Sequence, residues 1–317
     1  MRYLLIFAFA VCCFANSLQA QNAVADPPAA DEKPQAEPAK QKTKEKTENE
    51  DHYKATDQYV RVKKSEEGKS LALQTAIVRY KGKKGSPYEG QIVDLVGVVH
   101  IGEGDYYKDL NKRLIKYDTV LYELVAPNGT RIHPEDLKKR RSLLSSVQTG
   151  MKDMLQLQYQ LELIDYMAEN FRHADMTPDE FSKDLKRRGD SVTKMLARMM
   201  GAGLASSASS GGDAGILLAM FSKDRPKKMK QAMARQIVDI EILNAGINDT
   251  NGENTLIKGR NAKCFRILKE ELEKGKKKVA VFYGAGHLPD MAYRLEQDFI
   301  MQERKTTWLN GWDLTTN

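Results

Sequence analysis

Two histidines in matching contexts are the first candidates for chemistry. Gly97-Val98-Val99-His100 closes the apolar run 94–100, and Gly284-Ala285-Gly286-His287 closes the run that starts at Lys278. Both runs are short, apolar and Val-containing, which predicts buried strands. Each delivers an imidazole where a strand stops, and the glycine three residues earlier permits a tight turn or a close backbone approach. Glu123, between Tyr122 and Leu124 in the apolar stretch 119–125, is the third candidate. A carboxylate at the end of a buried strand costs free energy unless it is paired or coordinated. Two neutral imidazoles and a carboxylate suit a divalent metal with a position open to water, so the expected metal set is His100, His287 and Glu123, with Mn, Co or Zn as possible ions. Glu123 is either the third ligand or the general base for a metal-activated water. The duller account is that Gly-x-x-His occurs by chance and that a histidine after a strand is usually structural; the duplicated context weighs against it. Glu103 and Asp105, just after His100, are spare bases, and a helix cap explains Asp105 equally well.

Residues 71–80 alternate apolar and polar side chains and predict a strand, with another at 59–62. Residues 91–99 form the first buried strand, Gly104 and Asp105 open an amphipathic helix to about Tyr117, and 119–125 is the next strand. That strand-helix-strand order is a crossover unit, so its two strands should be parallel neighbours or near neighbours, with His100 and Glu123 towards one end of the sheet. From 134 to about 274 helix formers dominate. Residues 155–163 alternate like a strand, but Leu157, Leu161 and Ile164 keep helical spacing and predict helix. Further helices are expected at 227–244, 253–274 and 289–299, the last strand at 278–283, and a closing edge strand at 306–309. The expected fold class is α/β, a central mostly parallel or mixed sheet flanked by helices, with a large all-helical insertion between its two halves. In an open sheet of this kind ligands bind beyond the carboxyl ends of the strands, where all three candidates fall.

The 317 residues are not all expected to fold. Arg2, an apolar run from Leu4 to Ala15 and small residues to Ala20 have the layout of a signal peptide, and a dozen apolar residues fall short of the roughly 20 that span a bilayer. Residues 21–57 are Pro, Ala, Lys, Glu, Gln and Thr, a composition too polar to order itself, which leaves 58–317 as the α/β domain. The whole chain carries +7; the 21–57 segment holds six Lys against nine acids, so the rest from residue 58 carries about +9. This charge is scattered and lacks interleaved aromatics, which argues for solvated faces and against a nucleic-acid partner. Cys12 and Cys13 lie in the apolar run, leaving Cys264 alone and no internal disulfide in the mature chain. The Met-rich stretch 195–200, followed by Gly, Ala and Ser to 215, suits a packed helix end and surface loop more than a lid. No His-Glu-x-x-His, Cys-x-x-Cys or Gly-x-Ser-x-Gly pattern is present. These features predict an exported protein, periplasmic or secreted, without stable membrane insertion once the leader is removed.

The order Gly97-Val98-Val99-His100, Tyr122-Glu123-Leu124, Gly259-Arg260-Asn261 and Gly284-Ala285-Gly286-His287 resembles the TraB, PrgY and GumN family, which includes the TIKI proteases. The resemblance runs from about Leu71 onward and rests on the order of four short motifs. It implies an α/β core with a helical middle and, in the TIKI branch, divalent-metal-dependent cleavage of peptides; other relatives are linked to blocking pheromone signalling. Carried onto this chain, it picks out His100, Glu123, Arg260 and His287, with Asn261 beside them. Arg260 enters by this route alone: on a basic helix it would otherwise be a surface ion pair, whereas an inward arginine would hold a substrate carboxylate or stabilise an oxyanion. The expected function is an exported peptidase-like hydrolase with a peptide or protein substrate. The rivals are a metal-independent, esterase-like hydrolase and a peptide-binding protein without catalysis.

Overall fold

A computed structural model describes residues 59–133, 155–191, 193–195, 197–198, 219, 221–238 and 255–316. The expected leader and tether and the Gly-rich stretch after Met200 lie outside the described residues. In chain order the elements are β1 (Val60–Lys64), β2 (Ser70–Gly82), β3 (Ile92–Val98), β4 (Ile101–Gly102), α1 (Gly104–Leu114), β5 (Thr119–Tyr122), β6 (Gln158–Tyr159), α2 (Gln160–Leu163), β7 (Phe171–His173), α3 (Pro178–Arg187), α4 (Arg225–Val238), α5 (Arg260–Glu273), β8 (Lys278–Gly284), α6 (Leu288–Gln297) and β9 (Met301–Asp313). The fold is mixed α/β, as the alternation of apolar strands and amphipathic helices predicts.

One sheet organises the chain. β3, β8, β5 and β7 lie side by side and parallel. β8 is thus wedged between β3 and β5, which makes those two near neighbours rather than direct partners. The antiparallel part is built on β2, whose two halves pair with β1 and β3 along one edge while β9 runs along the other. Side chains alternate between two cores, as period-two strands require. Val96, Val98, Val120, Tyr122, Ala280 and Phe282 face α1 and α4, and Leu95, Leu121, Val281 and Tyr283 face α5 and α6.

Three expectations about the elements are corrected. The middle of the chain is not all helical, because β7 joins the main sheet beside β5. Residues 155–163 are not one helix: β6 pairs antiparallel with β4, and only Gln160–Leu163 turn helically. The strand-like alternation there prevails because the chain leaving His100 offers a free edge at Ile101 and Gly102, and Gln160 N–H also donates to the His100 carbonyl at 2.9 Å. The closing strand is 13 residues long rather than four. Its first half, Gln302 to Lys305, is charged and exposed, as suits an edge that must not pair with another chain.

The second half of β9 supports the segment that carries His100. Trp312 is fully buried, and its indole N–H donates to the Ile101 carbonyl at 2.6 Å, while Tyr107 donates its hydroxyl to the Val99 carbonyl at 2.8 Å. Trp312→Ala should therefore cost about 3–5 kcal/mol in chemical unfolding, through a cavity and an orphaned carbonyl. A loss under about 1 kcal/mol would mean that this edge is not part of the cooperative core.

Candidate active site

All four parallel strands send a polar group beyond their carboxyl ends. His100 follows β3, Glu123 follows β5, Asp175 follows β7 and His287 follows β8 by one turn of 3-10 helix. Register makes the first and last of these neighbours, since Val98 lies opposite Gly284. Arg260 reaches the group from the first turn of α5, just after the π-helical turn Thr255–Gly259.

Glu123 is the hub. Its Oε1 accepts from Arg260 Nη2 at 2.7 Å and lies 3.4 Å from His287 Nε2; its Oε2 accepts the Gly284 N–H at 2.7 Å. The glycine at 284 is explained by the same geometry. A Cβ there would sit 3.3 Å from Glu123 Oε2 and 3.4 Å from His100 Nε2, tighter than most side-chain contacts, so the space over Gly284 belongs to the site. Gly97 serves packing instead: a Cβ would press at 3.1 Å on Leu288 and 3.2 Å on the Ala76 carbonyl. Burial pushes the Glu123 carboxyl up, but Arg260, then His287 and His100, outweigh it and hold the group well below the usual carboxylate range.

The ring orientations follow from two amides. Asn261 donates through Nδ2 to Asp290 Oδ2 at 2.8 Å and to the His287 carbonyl at 3.1 Å. The Asp290 carboxylate also accepts from Arg294 Nε at 2.7 Å, so both partners of the Asn261 amide are acceptors. Asn261 Oδ1 is therefore the atom 2.7 Å from His287 Nδ1, which must carry the proton. His100 is also held by an amide: its Nδ1 lies 2.9 Å from Gln160 Oε1, and Gln160 Nε2 lies 2.7 Å from the Tyr166 hydroxyl, a group that can accept or donate. A neutral His287 ring then presents its Nε2 lone pair on the Glu123 side. An imidazole lone pair 3.4 Å from a carboxylate oxygen is repulsive unless positive charge lies with them, either a proton on the ring or a cation.

Asp175 is the site residue that sequence reasoning missed. It is fully buried and takes Arg260 Nε at 3.0 and 3.2 Å on its two oxygens and Arg260 Nη2 at 2.5 Å. The guanidinium is thus shared between Asp175 and Glu123, and the two carboxylates keep it firmly protonated against the opposing effect of burial. Asp175, Gln160 and Asp290 carry no motif; the signal for Asp175 was the Thr177-Pro178-x-Glu180 capping box, which marks a strand-turn-helix passage just after it. Conversely, the spare bases do not reach the centre. Glu103 accepts from Lys230 Nζ at 3.2 Å and from the Asp313 N–H at 3.1 Å, tying α1 to α4 and β9, and Asp105 is exposed and pairs with Lys108. Asp94, at the start of the first motif strand, is likewise structural, held by Arg79 and by the Tyr117 hydroxyl.

In kind, the donors fit a divalent ion: two imidazoles whose Nδ1 atoms are anchored by amide oxygens, the outer-shell pattern of metal-bound histidine. In arrangement, no cluster of three or more His, Cys, Asp or Glu side chains among the described residues is set to hold a metal ion. Glu123 would have to loosen its contact with Arg260 or Gly284 to serve as third ligand. No helix among the described residues is long and apolar enough to cross a membrane. Comparison with family models, with curated proteins and with solved structures found no match to this chain.

Proposed function

We propose that this chain is an exported hydrolase of the TraB/GumN kind that cleaves a peptide bond or similar acyl link with a divalent metal. The observation that carries the reading is the convergence of two Nε2 atoms, each on a ring anchored at Nδ1, around one ionised carboxylate. His100 and His287 are the residues that would hold the ion. When bound, it would supply Lewis acidity at the acyl carbonyl and lower the pKa of water. Glu123, kept ionised by Arg260, is in the proton-accepting form at neutral pH and stands beside both rings, where it would take the proton released as water adds to the carbonyl and return it to the departing amine or alcohol as the acyl bond breaks. Arg260 is occupied by two carboxylates, so its part is to place and charge Glu123 rather than to clamp a substrate carboxylate.

A second reading draws on the full occupation of Glu123 by protein groups. There the positive charge is a proton on His287, and Glu123 orients an imidazolium in metal-independent hydrolysis. Metal analysis of purified protein, with hydrolysis of a peptide library in Mn, Co or Zn, separates the two. The metal reading expects about one ion per chain in wild type, loss of that ion in the His100→Ala/His287→Ala variant, and hydrolysis that chelation abolishes. Equal metal content in both proteins, or hydrolysis indifferent to chelators, would sink it in favour of the proton. Peptide binding without turnover, retained in Glu123→Gln, would leave only a binding protein.

A further inference from the structure

Among the described residues, the Arg260 side chain makes four hydrogen bonds, and three of them end on Asp175 against one on Glu123. The Asp175–Arg260 pair is anchored at both ends. Asp175 Oδ1 also accepts the Met176 N–H at 2.7 Å, and the residue before it is pinned to two strands: the Ala174 N–H donates to the Tyr122 carbonyl at 3.2 Å, and the Ala174 carbonyl accepts the Tyr283 hydroxyl at 2.5 Å. On the other flank, Arg260 leaves the π-helical turn, where Thr255 donates its hydroxyl to Asp184 Oδ2 at 2.7 Å and a Cβ on Gly259 would come within 2.8 Å of that same oxygen. Glu123, held by one bond from Arg260 and one from the Gly284 N–H, is therefore the member of the trio able to turn.

This arrangement has an electrostatic sign. Two carboxylates and one guanidinium leave the trio with one net negative charge. Without Asp175, the guanidinium would face Glu123 alone and grip it more tightly. Its charge would then oppose any cation brought to the rings of His100 and His287, and in a buried site that opposition is poorly screened. With Asp175 in place, Arg260 keeps a counterion even when Glu123 turns away.

We propose that Asp175 is the positioning residue that makes the centre receptive to a divalent cation: it retains Arg260 and neutralises its charge, which releases Glu123 towards an ion at His100 and His287. Asp175 acts through Arg260 and is not itself a ligand. The inference rests on the metal-dependent reading above and adds to it a residue that no sequence motif marks.

Calorimetric titration of the metal-free full chain with Zn²⁺ and, separately, with Mn²⁺ tests this, with unfolding midpoints taken to establish that each variant titrated is folded. Asp175→Asn should weaken binding at least tenfold. Arg260→Met, which removes the competing cation, should bind several-fold more tightly than wild type, and Asp175→Asn/Arg260→Met more tightly than Asp175→Asn alone. A purely structural role would weaken binding in both single variants and further in the double, so the opposite signs are the decisive readout. Should Arg260→Met not fold, the comparison of Asp175→Asn with the double variant decides. The proposal is overturned if Asp175→Asn binds as wild type does, or if the double variant binds no better than Asp175→Asn. Wild type that fails to saturate, or His100→Ala/His287→Ala that binds as wild type does, would instead remove the metal reading, and this inference with it.

Discussion

Arg260→Met should cost about 3–5 kcal/mol of folding stability at neutral pH, the usual penalty for removing one member of a buried ion pair. Arg260 is only 6% exposed, and its guanidinium lies between two carboxylates, of which Asp175 is 0% exposed. Without it, Asp175 and Glu123 would be left with no cation between them, and at least one would have to bind a proton or admit water. A surface ion pair, the ordinary expectation for an arginine on a basic helix, would cost under about 1 kcal/mol, so denaturant midpoints distinguish the cases directly. Adding Asp175→Asn to Arg260→Met should return part of the loss, because it removes one of the two orphaned charges. The coupling expected for side chains in contact is about 0.5–3 kcal/mol. Simple additivity of the two costs would show that Asp175 and Arg260 do not act as one unit.

That dependence shows where the sequence stopped being informative. His100, His287 and Glu123 were legible because each ends an apolar run, and a strand end in a parallel sheet has a fixed meaning for side-chain position. Asp175 follows a strand of only three residues, Phe171–His173, set within polar and helix-forming sequence. So short a strand has no period to detect; it exists because β5 offers a parallel edge. Gln160 was hidden by a different conflict. Residues 155–163 fit both periodicities, and pairing with Ile101 and Gly102 decided between them, placing the amide beside His100. Asn261 was pointed to by resemblance alone, since its role depends on Asp290, 29 residues later, accepting one of its protons. β9 was legible only where it is apolar, because its exposed half has the charged composition that protects an edge. The large-scale architecture was therefore readable from patterns of burial, whereas the groups that orient the candidate centre depend on contacts across the sheet.

Glu123→Gln is the second substitution with a large expected effect, and pH divides that effect into two parts. The Glu123 carboxyl is held below its ordinary value of 4.5, so the folded state binds its proton less readily than the unfolded chain does. The resulting stabilisation is complete above about pH 4.5 and is lost as pH falls through the lower folded value, with about 1.4 kcal/mol at stake for each unit of lowering. The glutamine variant lacks this part altogether. It also places an amide N–H₂ against either Arg260 Nη2 or the Gly284 N–H, two donors face to face, which costs about 1–3 kcal/mol and does not titrate. Urea midpoints should therefore show the variant well below wild type at pH 7 and closer to it at acid pH, with a remaining gap set by the donor mismatch. A gap that stays constant from pH 7 to pH 3 would mean that Glu123 is not ionised by its neighbours. The same variant bears on the charge between the rings. Replacing the carboxylate removes the negative group that a cation at His100 and His287 would neutralise, so metal affinity should fall by about 10- to 100-fold even if Glu123 is not itself a ligand. If the charge is instead a proton, Glu123→Gln leaves metal content untouched, which metal analysis of wild type and variant side by side would register.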